Sequence, residues 1–287
     1  MTDILSTLLS SMNTAGADST EDHVRSLFPD PDAPPSAPPS FPKNAVNYAI
    51  CYVQRSGSTH LTSLLQNTEV AGKPADFFNA GYSQMPLERE QVFARTGAHS
   101  IVSAAERYAC RSVADYLNIV AALTRSANGV FGVKMDLCHM TILLRRGLFW
   151  HPDWNWKYIY LTRRNLLMQA ISFYTASQTG LWSSLSASDQ VADFDERAIA
   201  ENMLYLGDVM SRWECLFGVL GIEPLRIFYE EIESAPSDTL AQCLRYVGLD
   251  YSPKPAPIES SYQKQRSSQA DAWAAAMRAH ARGSAAV

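Results

Sequence analysis

No run of about 18 apolar residues that could cross a bilayer occurs in the chain. Its start, MTDILSTLLSSMN, lacks the basic beginning, long apolar run and cleavage site of a signal peptide. These absences predict a cytoplasmic protein with no integral membrane segment. Cysteine is sparse: Cys51, Cys110, Cys138, Cys215 and Cys243 are odd in number and contain no C-x-x-C pair, which argues against a disulfide framework and a zinc cage. No His/Cys/Asp cluster shows ligand spacing, so no metal is expected. Long runs of like charge are missing too. A net charge of -5 spread along the sequence excludes an electrostatic footprint for nucleic acid, so any anion must be held by a local site and the partner is a small molecule.

With 47% hydrophobic and 18% charged residues, the 287-residue chain has ordinary globular composition and is expected to form one main domain. Seven of the fifteen prolines fall in PDPDAPPSAPPSFP, residues 29–42, where missing amide hydrogens and fixed φ angles predict a stiff extended linker. The expected division is an N-terminal arm over residues 1–43, in which ILSTLLSSM forms at most a turn or two of amphipathic helix, and a folded domain over residues 44–287.

Within that domain, strand-length apolar runs AVNYAICYV, GVFGVKM, KYIYLT and PLRIFYE alternate with segments whose apolar residues recur at three and four. Ile199, Met203, Leu206, Met210, Trp213, Phe217 and Leu220 mark one long helix. Leu240, Cys243, Leu244 and Val247 mark another, stopped at Gly248. The pattern predicts an α/β fold with a P-loop-like central parallel sheet covered by helices on both faces, and a ligand outside the carboxyl ends of its strands.

The first strand, predicted over residues 45–53, passes through QRSGS into a helix predicted over residues 59–67. A turn of that kind delivers backbone N–H groups at the positive end of a helix, which is an anion cradle. Gly57 permits close backbone approach, Arg55 adds a charged fork, and Ser56, Ser58 and Thr59 add hydroxyl donors. The cradle is not a Walker A loop, because no earlier glycine and no Gly-Lys are present. Nor is it a phosphatase loop, since the residue six beyond Cys51 is Gly57 rather than arginine.

QRSGST, then AGKPADFFNAGY, then YLTRRNLLMQAISFYTASQTGLW together resemble the bacterial trehalose 2-sulfotransferase family, whose segments read Q-R-S-G-S-T, G-E-P-x-E-F-F, and an arginine loop leading to Q-A-(V/I)-S and Q-T-x-x-W. Order and spacing agree from about Asn44 to the C-terminal region. The resemblance implies the sulfotransferase fold and the donor 3′-phosphoadenosine-5′-phosphosulfate (PAPS), with adenosine 3′,5′-bisphosphate as product. It implies that Arg55, Ser56, Gly57, Ser58 and Thr59 hold the phosphosulfate end, and that Arg163 or Arg164 shares the 3′-phosphate with Ser172. Ser172 lies nine positions past Arg163 and eight past Arg164, so both arginines are carried. More loosely, Lys264-Gln265 with Arg266 and the later Trp273 resemble the family's late basic segment, expected to close over the nucleotide. A homodimer is a further implication.

Sulfuryl transfer shares the physics of phosphoryl transfer: in-line approach, with charge gathering on equatorial and leaving oxygens, where Arg55 and the loop amides are aimed. The acceptor hydroxyl must also lose a proton. Asp76 stands where the family pattern has its second glutamate and is the expected general base, with His60 and His139 next on chemical grounds. Lys73 replaces the first glutamate. It would favour an anionic or carbonyl-bearing acceptor, or pair with Asp76 and lower its pKa, which places trehalose itself in question. Phe77, Phe78, Tyr82 and Trp182 are candidate walls of an acceptor or adenine pocket, while WHPDWNW, from Trp150 to Trp156, reads as a loop with core anchors. The expected activity is therefore sulfuryl transfer from PAPS to a hydroxyl of a small glycan, glycolipid or natural product. The rivals are a P-loop kinase and an inactive nucleotide-binding or scaffolding protein.

Overall fold

The computed structural model describes Thr7 and residues 17–34, 45–79, 107–148, 156–182, 191–250 and 268–284. Strands β1 (Val46–Tyr52), β2 (Val130–Met135), β3 (Trp156–Thr162) and β4 (Leu225–Phe228) form one sheet in the order β2-β1-β3-β4. Every neighbouring pair is parallel, with Ile50 opposite Lys134 on one side and Ile159 on the other. All four predicted strands are present. The last is shorter than its apolar run because Tyr229 already begins helix α7 (Tyr229–Ser234).

Alternation along β1 divides the core. Ala49, Cys51 and Val53 join Phe131, Val133, Met135 and Tyr160 on one face, while Tyr48, Ile50 and Tyr52 join Val130, Ile159, Leu161 and Ile227 on the other. The second face is covered by α2 (Ser58–Gln66) through Leu61, Leu64 and Leu65, and by α8 (Pro236–Val247) through Leu240, Cys243, Leu244 and Val247. The first is covered by α3 (Val113–Thr124), α4 (Leu137–Arg145), α5 (Leu166–Thr179), α6 (Glu196–Leu220) and α9 (Ser268–Ser284). Burial of each large aliphatic side chain contributes about 1.5–3 kcal/mol, which explains why runs apolar on both faces became central strands.

Two glycines let backbone come close. A Cβ on Gly132 would lie 2.3 Å from the Tyr48 ring, whose hydroxyl donates to the Ala71 carbonyl at 2.8 Å. Gly72, at φ 72, would drive a Cβ to 2.7 Å from the Val130 carbonyl oxygen. The segment around Gly72 thereby hugs β2: Lys73 N–H donates to Thr124 and Lys134 N–H to Ala75, both at 2.9 Å. Asp76 is delivered beside Lys134 by this pairing.

Within the expected N-terminal arm, residues 17–34, which include the start of the proline-rich stretch, pack against the rest of the chain. Helix α1 (Ala17–Leu27) and the turn after it send Val24 and Phe28 into the first core face. Glu21 meets Arg146 at 2.7 Å with side chains 8% and 4% exposed, and Val113 N–H donates to Pro31. The expected start near Asn44 is thus preceded by a packed helix, held by a buried ion pair that no local sequence pattern announces. Most of ILSTLLSSM lies outside the described residues.

Candidate active site

The strand order reverses at β1, whose neighbours β2 and β3 follow it on opposite sides, and in such sheets ligands bind outside the carboxyl ends of the strands at that point. The loop after β1 turns sharply: Ser56 N–H donates to the Val53 carbonyl at 3.2 Å, and both Arg55 (φ 63) and Gly57 (φ 84) are left-handed. For Arg55 that conformation costs of the order of 1–3 kcal/mol, strain characteristic of a ligand clamp. Gly57 caps α2 with no side-chain hydrogen bond, leaving the first-turn amides for an anion. The Ser56 hydroxyl is fully buried and has no hydrogen-bond partner among the described residues. A donor held dry inside such a turn fits a phosphate or sulfate oxygen.

Arg55 reaches away from its own strand. Its Nε donates to Ser172 Oγ at 2.9 Å and its Nη1 to the Trp182 carbonyl, while buried Gln169 on α5 donates to the Gln54 carbonyl at 2.7 Å. Ser172 is therefore bonded to Arg55, not to either arginine of the second loop.

That second loop leaves β3. The Arg163 guanidinium lies 4.6 Å from the Tyr229 ring centroid and 4.0 Å from Glu230 Oε1, whereas Arg164 stacks on Phe228 at 4.0 Å and pairs with Glu231 at 2.5 Å. The amides of Arg164 and Asn165 each donate to the Glu230 carboxylate at 3.1 Å. Burial opposes the Glu230 charge, but those amides and Arg163 outweigh it and hold the carboxyl below its ordinary range. Tyr229 also seals the first loop, since a Cβ on Gly57 would stand 2.5 Å from its Cδ2. One aromatic ring thus touches both arginine loops.

A third group lies by the ends of β1 and β2. Asp76, 2% exposed, accepts from the Tyr52 hydroxyl at 2.9 Å and stands 3.4 Å from Lys134 Nζ and 3.1 Å from His139 Nδ1. Burial pushes its pKa up, but Lys134, His139 and Tyr52 overcome that and hold it well below the carboxylate range. His139 is also 3.3 Å from Asp136, the N-cap of α4, whose other oxygen receives Gln54 Nε2 at 3.5 Å. Burial lowers the His139 pKa, yet Asp136 and Asp76 raise it further, and the balance lies above the ordinary imidazole value. The lysine on Asp76 is Lys134 and not Lys73, which is exposed.

Phe77 and Phe78 are completely buried, the first under the Tyr116 hydroxyl on its carbonyl at 2.8 Å and the second edge-on to the Tyr116 ring at 5.4 Å. They are core and do not line an open wall, because the turn carrying Asp76 folds inward over α3. Trp182 is half-buried against Phe173 at 5.7 Å and remains next to Arg55 through its carbonyl. Ser58 is buried, and Thr59 and His60 are half-buried on the first turn of α2, where burial lowers the His60 pKa. Trp273 lies in the core against Tyr174 and Phe194. Trp156 begins β3, whereas Tyr82, Trp150, Lys264 and Arg266 lie outside the described residues. Among the described residues no group of three or more His, Cys, Asp or Glu could hold a metal ion, and no helix is long and apolar enough to cross a membrane.

Sequence reasoning passed over Lys134, Tyr52, Asp136, Gln169, Tyr229 and Glu230. For Lys134 the signal was present: a charge inside a strand buried at every position, VFGVKM, requires a partner.

Residues 47–280 match the family model described as Stf0 sulphotransferase. A trehalose 2-sulfotransferase of Mycobacterium tuberculosis is 28% identical over 261 residues, covering 82% of this chain and 95% of that protein. One of Mycolicibacterium smegmatis is 27% identical over 252 residues, covering 79% and 92%. The sulfotransferase domain of the Synechococcus PCC 7002 olefin synthase superimposes with a TM-score of 0.49 at 14% identity, over 77% of this chain and 78% of that one.

Proposed function

The chain belongs to the Stf0 sulphotransferase family, and we propose that it transfers a sulfuryl group from PAPS to a hydroxyl of a small glycan, glycolipid or natural product. The observation that carries the donor is the pair of cationic loops at the ends of adjacent strands, joined by Tyr229, one of them holding the dry, unpartnered Ser56 hydroxyl. A bisphosphate with anionic groups at both ends of one nucleoside suits two such loops. PAPS supplies an activated sulfuryl group on a phosphate leaving group.

Arg55, the Ser56 hydroxyl and the amides opening α2 hold the phosphosulfate end and strengthen as charge moves onto the leaving oxygen. Each preorganised donor of this kind is worth about 2.7–4 kcal/mol. Arg163 and Arg164 take the 3′-phosphate. Ser172, already on Arg55, fixes that guanidinium toward its own loop. The acceptor's proton leaves to the buried group around Asp76, where the family pattern has a glutamate. Exposed Lys73, in place of the other glutamate, adds positive charge where the pattern has negative and favours an acceptor bearing an anionic or carbonyl group.

Thermal unfolding tests the donor. Adenosine 3′,5′-bisphosphate is expected to raise the melting temperature and ATP with magnesium to leave it unchanged; the reverse ranking would refute the assignment. Incubating protein and PAPS with extract from its source, then searching for a metabolite heavier by one sulfate, identifies the acceptor.

A further inference from the structure

We infer that Glu230 is a positioning residue for the donor: its carboxylate pins the backbone of the second arginine loop, so that Arg163 and Arg164 meet the 3′-phosphate as a pre-set pair. The inference rests on the sulfuryl transfer from PAPS proposed above and gives one more residue of this chain a part in selecting 3′-phosphorylated nucleotides.

Register brings the groups together. β3 and β4 run parallel with Thr162 opposite Phe228, so the residues that leave the sheet next emerge side by side: Arg163 and Arg164 after one strand, Tyr229 and Glu230 after the other. Glu230 Oε2 accepts the Arg164 N–H and Oε1 the Asn165 N–H, both at 3.1 Å, and Oε1 lies 4.0 Å from Arg163 Nε. Both amides precede the first hydrogen-bonded turn of α5, where no helical carbonyl lies upstream to receive them. Burial opposes the charge on Glu230, but the amides and Arg163 outweigh it, which keeps the carboxylate ionised and able to accept at both oxygens.

The charges explain why a loop meant for a phosphate carries carboxylates. Guanidiniums on adjacent residues repel, and each is offset separately: Arg163 by Glu230 and the Tyr229 ring at 4.6 Å, Arg164 by Glu231 and the Phe228 ring at 4.0 Å. The other oxygen of Glu231 accepts the Phe228 N–H at 3.1 Å, within its own turn. Glu230, by contrast, holds the main chain of the arginine loop at two successive residues, and so fixes the origin of both side chains.

Glutamine at this position keeps the size but sets an amide donor against a backbone N–H, so one of the two contacts is lost and the loop is released there. Removing a negative charge acts in the opposite direction. Its repulsion of the phosphate is already offset by the two arginines and screened by salt, however, whereas the lost contact joins an ion to a donor at hydrogen-bond distance. Weaker binding is therefore the expected sign.

The test compares two nucleotides that differ by the 3′-phosphate alone. In calorimetry on the full chain, the wild type should bind adenosine 3′,5′-bisphosphate more tightly than adenosine 5′-monophosphate. In Glu230→Gln the bisphosphate affinity should fall roughly tenfold while the monophosphate affinity stays within about twofold, so the preference narrows. A fold defect would weaken both nucleotides alike. Hydrogen exchange without nucleotide gives a second readout: the Arg164 and Asn165 amides should be protected in the wild type, and at least one should lose that protection in Glu230→Gln. A preference that is unchanged or widened in Glu230→Gln, or an equal loss of both nucleotides, overturns the inference, as do Arg164 and Asn165 amides that exchange freely in the wild type. A wild type indifferent to the 3′-phosphate overturns the donor assignment, and this inference with it, even where both amides are protected.

Discussion

Lys134 illustrates how much a single buried charge decides. Alone in an apolar strand it would be expelled; beside Asp76 and over the Tyr52 ring at 4.9 Å it holds a carboxylate ionised inside the core. Replacing it by methionine leaves Asp76 buried without its cation, and Lys134→Met is expected to cost about 3–5 kcal/mol in urea unfolding at neutral pH. The direction with pH follows from the shifts. The depressed Asp76 contributes stability that is present above its unfolded pKa of about 3.9 and is lost only as pH falls through its folded value. The raised His139 contributes stability that is complete below about pH 6.5 and is lost as pH rises through its folded pKa. Melting temperature measured across that window should therefore decline in the wild type and lose this component in His139→Gln. At Gly57 both the φ of 84 and the Tyr229 ring exclude a side chain. Gly57→Ala should weaken adenosine 3′,5′-bisphosphate binding at least about tenfold by calorimetry, since about 1.4 kcal/mol of strain suffices.

Among the elements, those with a clear period were readable. β1, the anion loop and α2 follow from a switch from strand-like apolar residues to leucines at helical spacing, and α6 and α8 follow from theirs. What the sequence does not display is which side chain meets which across elements. Lys73 is nearest to Asp76 in the chain, yet Lys134 is nearest in space, because Lys134 N–H pairs with Ala75 O and aligns the two segments. Ser172 stands eight or nine residues from the arginines of its own loop, yet packing of α5 on β1 gives it to Arg55. Helix α1 was equally hidden, its two core residues being separated from the domain by prolines. Its Glu21 carboxylate meets both Nη1 and Nη2 of Arg146, at 3.2 and 2.7 Å, just past the end of α4. Glu21→Ala leaves that guanidinium only Asp32 at 3.1 Å and the Pro31 and Ile142 carbonyls, and equilibrium denaturation should register a loss of about 1.5–3 kcal/mol.

For the whole molecule, a net charge of -5 coexists with three arginines brought to one edge of the sheet, so attraction of a polyanion is local and not a property of the surface at large. Bisphosphate affinity should consequently fall with added salt even though the protein is acidic overall, and an affinity that stays constant from low to high ionic strength would contradict recognition by these arginines. The family assignment covers residues 47–280, yet α1 and the turn after it, which lie before that span, complete the core and brace the helix bearing His139. Because the Tyr229 ring is wedged between Gly57 and Arg163, the gap between the two arginine loops is a set length rather than an adjustable one. On the donor reading proposed above, a molecule built this way would work as a calliper, rejecting nucleotides whose two anionic groups are spaced wrongly.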